Sequence, residues 1–241
     1  MPRRSLLLRP LVAFFALLAP LAPLTLITGC GGAPDLTVLA ASSLTDVLPE
    51  LTRAYESETG QGVSLVFGGS NHLAAQLHDG APADVFLTAD TELVPEGVNG
   101  VRIAANHLVL AVPSGNPGGV FGPEALVDAE LRVAVCAAEV PCGAATLTLG
   151  LTLGLTLAPD TEEPSVRAVA SRLALGEADV GVVYATDVLA VDGIEPVAGV
   201  DLASAGVEYL AVALTPTGAP FVAFLASNPA LATLRNHGFS E

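Results

Sequence analysis

Three short stretches carry residues whose types and spacing suit one chemistry. Ser42-Ser43 and Gly68-Gly69-Ser70 each follow an apolar run, and Pro141-Cys142-Gly143 precedes a long segment of leucine and threonine. Each lies where a strand is expected to turn into a helix, and each offers backbone N–H groups, with a hydroxyl in two of the three. The first turn of a helix leaves its N–H groups unpaired and carries the positive end of the helix dipole. Several such turns meeting at one point therefore bind an anion without any fixed cation. Any one of them alone reads as an ordinary N-cap. Their joint order is what points to a site.

The elements that must position these turns are legible from periodicity. Leu36-Thr37-Val38-Leu39 predicts a strand running into Ala40-Ala41. Leu44, Val47, Leu48, Leu51 and Tyr55 then recur at helical spacing, with the serines at the N-cap, Asp46 in the first turn and Gly60 beyond the end. The cycle repeats as a strand over Val63 to Phe67, the glycine turn, and a helix marked by Leu73, Ala74 and Leu77 that ends near Gly80. Asp84 to Leu87 is the next strand. This is the βαβ grammar of an open parallel sheet, whose ligands collect at the carboxyl ends of the strands.

Leu108 to Val112 predicts a strand leading into the Pro/Gly-rich stretch Pro113 to Gly119, the first candidate domain crossing. A second series follows. Arg132 to Cys136 and Gly181 to Tyr184 read as strands, and Val166, Val169, Ala170 and Leu173 mark a helix between them. Val207 to Leu214 is a strand that returns the chain to the first domain. One more helix, from about Phe221 to Leu225, precedes a closing stretch at Arg235 to Phe239. Leu147 to Leu157 alternates leucine with threonine or glycine, and by period alone it predicts a strand.

Composition excludes several partners. The 241 residues are 51% hydrophobic, enough to bury a sizeable core in two modest domains. Nine arginines and no lysine stand against 25 acids, for a net charge of -16. That surface repels phosphate backbones, so nucleic acid is not the partner. Without lysine there is no P-loop, kinase-type phosphate lysine or Schiff base. The absence of Trp weighs against a sugar site.

Residues 1–29 read as an export leader: Arg3, Arg4 and Arg9 precede an apolar run from Leu11 to Ile27, and small residues stand where cleavage needs them. A retained membrane span is the alternative, but Pro20 and Pro23 interrupt the run. Arg3-Arg4-Ser5-Leu6-Leu7 faintly resembles a twin-arginine signal, and the export route stays open. Ile27-Thr28-Gly29-Cys30 resembles a bacterial lipobox, which implies that Cys30 is lipidated and becomes the first mature residue, followed by a linker to Pro34. Cys136 and Cys142 then lie in a compartment that permits disulfides. A bond between them closes a short loop. The pair reads slightly better as two reduced thiols packed as small hydrophobes, because spacing does not show whether their Cβ atoms face each other.

Four runs carry a resemblance to a known family: Val38-Leu39-Ala40-Ala41-Ser42-Ser43-Leu44-Thr45-Asp46, Phe67 to Leu77, Gly80-Ala81-Pro82-Ala83-Asp84-Val85-Phe86, and Gly181-Val182-Val183-Tyr184. In this order they resemble the molybdate-binding proteins of ABC transporters, and the Arg235-to-Phe239 ending resembles that family's closing stretch with His237 in place of a tyrosine. The resemblance covers nearly all of the chain beyond the leader. It implies an α/β fold, a two-lobed periplasmic binding protein of type II in which each lobe is a mainly parallel sheet flanked by helices. Lobe I would comprise 35–111 and 212–241, and lobe II 112–211. For Leu147 to Leu157 it implies a helix, against the local alternation, and the helix is preferred because context often overrides propensity.

The same resemblance assigns the ligand set. Ser43 and Ser70 match serines that give donors from lobe I, Cys142 and Val166 match residues that give only a backbone N–H, and Tyr184 matches a tyrosine whose phenol reaches the ligand from lobe II. Alone, Val166 reads as core packing and Tyr184 as a strand aromatic. Asp84 and Asp90 are structural, with Asp84 in a turn or cap, and no bare metal cation or cofactor is implied. Two departures bear on Cys142: the loop from Cys136 is one residue short, and Cys136 stands where glycine is common. The implied protein is a lipid-anchored monomer outside the cytoplasmic membrane. It captures molybdate, with tungstate fitting equally, for a permease and its ATPase. Another oxyanion such as sulfate, or a metal cation, is the alternative cargo. A secreted Ser hydrolase is the alternative class, disfavoured because G-x-S-x-G is absent and His72, His78, His107 and His237 show no pairing with a serine.

Overall fold

A computed structural model describes residues 35–200, 202 and 205–240; the leader and Cys30 lie outside them. The first half runs β1 (Leu36–Ala41), α1 (Leu48–Thr59), β2 (Val63–Gly68), α2 (Ser70–His78), β3 (Val85–Thr88) and β4 (Gly100–Pro113). Next come β5 (Val133–Cys136), α3 (Pro141–Leu153), β6 (Thr161–Glu163), α4 (Val166–Ala174), β7 (Val180–Tyr184), α5 (Ala185–Ala190) and β8 (Ile194–Pro196). The chain returns through β9 (Gly206–Ala213), α6 (Ala219–Leu225) and α7 (Asn228–Asn236). Among the described residues no helix is long and apolar enough to cross a membrane.

The strands order as β2-β1-β3-β9-β4-β7-β5-β6, with β8 beside β4. β1 is a nearly continuous apolar run because both of its neighbours are parallel and helices cover both faces. β4 is shared. Gly100 to His107 pairs with β9, and Leu108 to Pro113 pairs with β7 and β8. Two large cores result, one around Val38, Leu48, Val85 and Phe221, the other around Leu110, Val133, Val169 and Val182. The architecture is the two-lobed α/β fold expected.

Local structure departs from expectation at Ser42-Ser43 and in the tail. Ser42 and Ser43 do not cap a helix beginning at Leu44; they form a 3-10 turn, and α1 starts at Leu48 with Pro49 in its first turn and no side-chain cap. Proline tolerates that position because its missing N–H would be unpaired anyway, and Gly60, in the left-handed region at φ 72°, ends the helix as anticipated. The tail holds a further helix, α7, beyond the one expected. Ser227 caps it by accepting from the Ala230 N–H, and Pro229 stands in its first turn.

The leucine-threonine segment is helical, as the family resemblance implied and against its period. Thr146, Thr148 and Thr152 donate their hydroxyls to the carbonyls four residues earlier, at 2.7, 3.0 and 2.9 Å. Each threonine thus satisfies its own hydroxyl within the helix, Thr146 on its buried face and Thr148 and Thr152 on its exposed one. Pro141 opens α3, Gly154 closes it, and Leu149 packs into the second core while Leu151 faces solvent.

Candidate functional site

Five helical or 3-10 turns point their first residues at one small cavity. Ser43 comes from the turn after β1, Ser70 opens α2 after β2, Cys142 lies in the first turn of α3 after β5, Val166 opens α4, and Tyr184 ends β7 as the N-cap of α5. All five line the cavity and all are buried. The sequence-expected residues are therefore brought together from both lobes. The shortened Cys136 loop leaves Cys142 on the wall.

The cavity presents donors and no charge. Among the described residues, the backbone N–H groups of Ser43, Ser70, Cys142 and Val166 meet no protein acceptor, and no ionisable carboxylate, guanidinium or imidazole lines the wall. The Tyr184 hydroxyl is buried without a partner. Burial pushes its pKa well above the usual phenol value, and nearby Tyr209, Asp187 and Asp90 act in the same direction. It stays a neutral O–H donor. Ser70 Oγ accepts from the Ala89 N–H at 3.1 Å, which leaves its own proton to turn elsewhere.

Tyr209, on β9, escaped the sequence reading. Its hydroxyl and Ser43 Oγ share a hydrogen bond of 2.7 Å; with Tyr209 donating, the Ser43 proton is free to face the cavity. Burial raises the Tyr209 pKa as well, so both groups remain neutral. A tyrosine within an apolar strand is a signal that its hydroxyl needs a buried partner, but nothing in the spacing names Ser43 as that partner.

Behind the wall stands a second group the sequence did not reveal. Asp187 is fully buried, accepts from the Tyr184 N–H at 3.0 Å, and lies 3.0 Å from Arg167 Nε without the alignment of a hydrogen bond. Burial raises its pKa to about 6, against the opposing pull of Arg167. The other end of that guanidinium donates to Asp46, in the segment between β1 and α1.

Cys136 and Cys142 form a disulfide, with Cα atoms 5.8 Å apart. This corrects the preference for two free thiols: the end of β5 and the first turn of α3 lie side by side, which spacing alone did not show. Asp84 takes the turn role expected, accepting from the Thr37 N–H and the Thr215 and Thr217 hydroxyls at 3.0, 2.7 and 2.9 Å. Asp90 caps a 3-10 turn by accepting from the Glu92 N–H at 2.8 Å. Among the described residues no group of three or more His, Cys, Asp or Glu is placed to hold a metal ion. Neither site serine is hydrogen-bonded to a histidine; His237 instead meets Glu50.

A two-lobed fold with buried, neutral donors converging between its halves defines a solute receptor. Residues 36–240 match the bacterial extracellular solute-binding protein family, and the chain belongs to it. The molybdate-binding protein ModA of Escherichia coli is 32% identical over 187 residues, covering 68% of this chain and 70% of that protein. ModA of Mycobacterium tuberculosis is 35% identical over 168 residues, 66% of this chain; the match spans 64% of the length of that relative. In fold, the periplasmic molybdate-binding protein of Azotobacter vinelandii superposes with a TM-score of 0.67, covering 86% of this chain and 99% of that one at 23% identity.

Proposed function

We propose that this chain is an extracytoplasmic receptor for molybdate, with tungstate as an equivalent ligand, serving an ABC permease and its ATPase. The observation that carries the reading is the unpartnered, buried Tyr184 hydroxyl facing a cavity lined by free N–H groups and no charge. The ModA relatives support the choice of anion.

A tetrahedral dianion accepts on all four oxygens, so O–H and N–H donors satisfy it while the helix dipoles offset its desolvation. Hydrogen phosphate brings a proton that finds no carboxylate or imidazole acceptor on such a wall. Sulfate carries no proton and is discriminated by size, being smaller than molybdate. On this reading the two lobes close on the anion, and the closed form docks on the permease. The chain works as a monomer held at the outer membrane face through a lipid on Cys30. No bond of the ligand is broken.

Calorimetric titration of the leaderless protein tests this. Molybdate and tungstate are expected to bind one per chain, with sulfate and phosphate far weaker. Equal affinity for all four overturns the size argument, and no binding of any overturns the site.

A further inference from the structure

One member of the donor wall carries a covalent link to the sheet. α3 enters the cavity without a side-chain cap: its N-cap residue is Val140, and Pro141 has no N–H to offer. The first N–H of that helix available to a ligand is therefore the one on Cys142. A helix end left without capping partners frays readily.

Here the Cys142 side chain turns back to Cys136, the last residue of β5, and bonds to it. Both residues are buried. The rest of the turn is packed as closely: a Cβ built on Gly143 would stand 1.9 Å from the Ala137 carbonyl oxygen, so the helix start lies directly on the chain leaving the strand. The Val140 N–H donates to the Ala137 carbonyl and the Ala137 N–H to the Glu163 carbonyl, each at 2.9 Å. This path ties the turn to the sheet. The disulfide closes a loop with a sequence separation of only 6, and a loop that short removes little entropy from the unfolded chain compared with a long one. Its location, not its loop length, is what distinguishes it.

We infer that the Cys136–Cys142 disulfide is a positioning device for the binding site: it holds the Cys142 N–H on the cavity wall, so that ligand affinity depends on the bond being intact. This rests on the anion-binding reading above. Cys136 touches no ligand itself and acts through Cys142. A dithiol reductant reverses the device by giving two electrons and two protons, leaving two thiols on the protein and a disulfide on itself.

The test compares the oxidised wild-type protein, the same protein refolded and kept in dithiothreitol, and the double variant Cys136→Ala with Cys142→Ala, which keeps the backbone N–H. Molybdate affinity is measured at 25 °C, below the melting transition, together with the amide resonance of residue 142 on titration. Misplacing one donor to a charged ligand is expected to weaken Kd by about 10- to 100-fold and to reduce the ligand-induced shift of that resonance. Reoxidation of the reduced protein restores both. Equal Kd in all three forms overturns the positioning role. If the variant does not fold, the reduced wild type supplies the comparison. A chain that unfolds in both arms shows that the bond carries the fold itself, and also overturns the role. Failure of the oxidised protein to bind molybdate is a different result and removes the anion reading instead.

Discussion

Arg167 and Asp46 join the two halves of the molecule beside the cavity. Arg167 follows Val166 in the first turn of α4, and its guanidinium spans from the buried Asp187 to Asp46 on the far side of the cleft. One side chain thus touches the lobe that supplies Tyr184 and the lobe that supplies Ser43.

Asp46→Asn removes the charge on one side of that bridge. Asp46 is 39% exposed and Arg167 19%, so water screens the pair and it is worth at most about 1 kcal/mol. Dissociation of molybdate is expected to speed up by no more than about fivefold, with the ligand-free melting temperature nearly unchanged. Stopped-flow release and a melt of the free protein check the two halves. An unchanged off-rate means that the bridge does not hold the closed form.

Tyr184→Phe deletes the unpartnered hydroxyl and nothing else. The anion then loses one neutral donor, and Kd is expected to weaken by roughly 10- to 100-fold. The free protein should be as stable as before or slightly more so, because a buried polar atom without a partner is gone. Titration and thermal melts of the same preparation separate binding from folding.

Gly69→Ala probes how closely the lobes approach. A Cβ there would lie 2.5 Å from the Pro164 carbonyl oxygen, across the cleft, so the lobes must stand apart to admit it. Molybdate affinity should fall at least about tenfold, since the closing lobes can no longer bring every donor to the anion. Small-angle scattering with saturating molybdate should show less compaction than in the wild type. Full compaction refutes the contact.

Asp187 predicts a pH effect of unusual sign. Its folded-state pKa is raised to about 6 by burial, above the ordinary 3.8, so between these values the folded protein holds a proton that the unfolded chain has released. Stability from this group therefore rises as pH falls from above 6 toward 4. Asp84 and Asp179 have lowered values, Asp84 chiefly through the Thr37 N–H and Asp179 chiefly through Arg132, so they lose stability only below that window. The melting temperature should increase modestly on acidification from pH 7 to 5, and Asp187→Asn should abolish the increase.

Most strands and helices were legible because apolar spacing reports burial, although β6, β8, α5 and the Gly100–His107 part of β4 were not read; the donor turns were legible because they sit where strand passes into helix. Tyr209 and Asp187 were not. Each takes its role from a partner far along the chain, Ser43 or Arg167, and period carries no information about such pairs. The 3-10 turn at Ser42 was hidden for another reason. Leu44 and Val47 are buried at helix-like spacing although neither lies in α1, so periodicity placed the helix start one turn too early. In α3 the Leu/Thr alternation imitated a strand, and only the back-bonded threonine hydroxyls make plain why a helix accommodates it.

β4 bears on how such a molecule can breathe. Because one uninterrupted ribbon supplies rungs to the ladders on either side of the His107–Leu108 junction, gaping of the mouth must be taken up as torsion in that ribbon while pairing persists above and below.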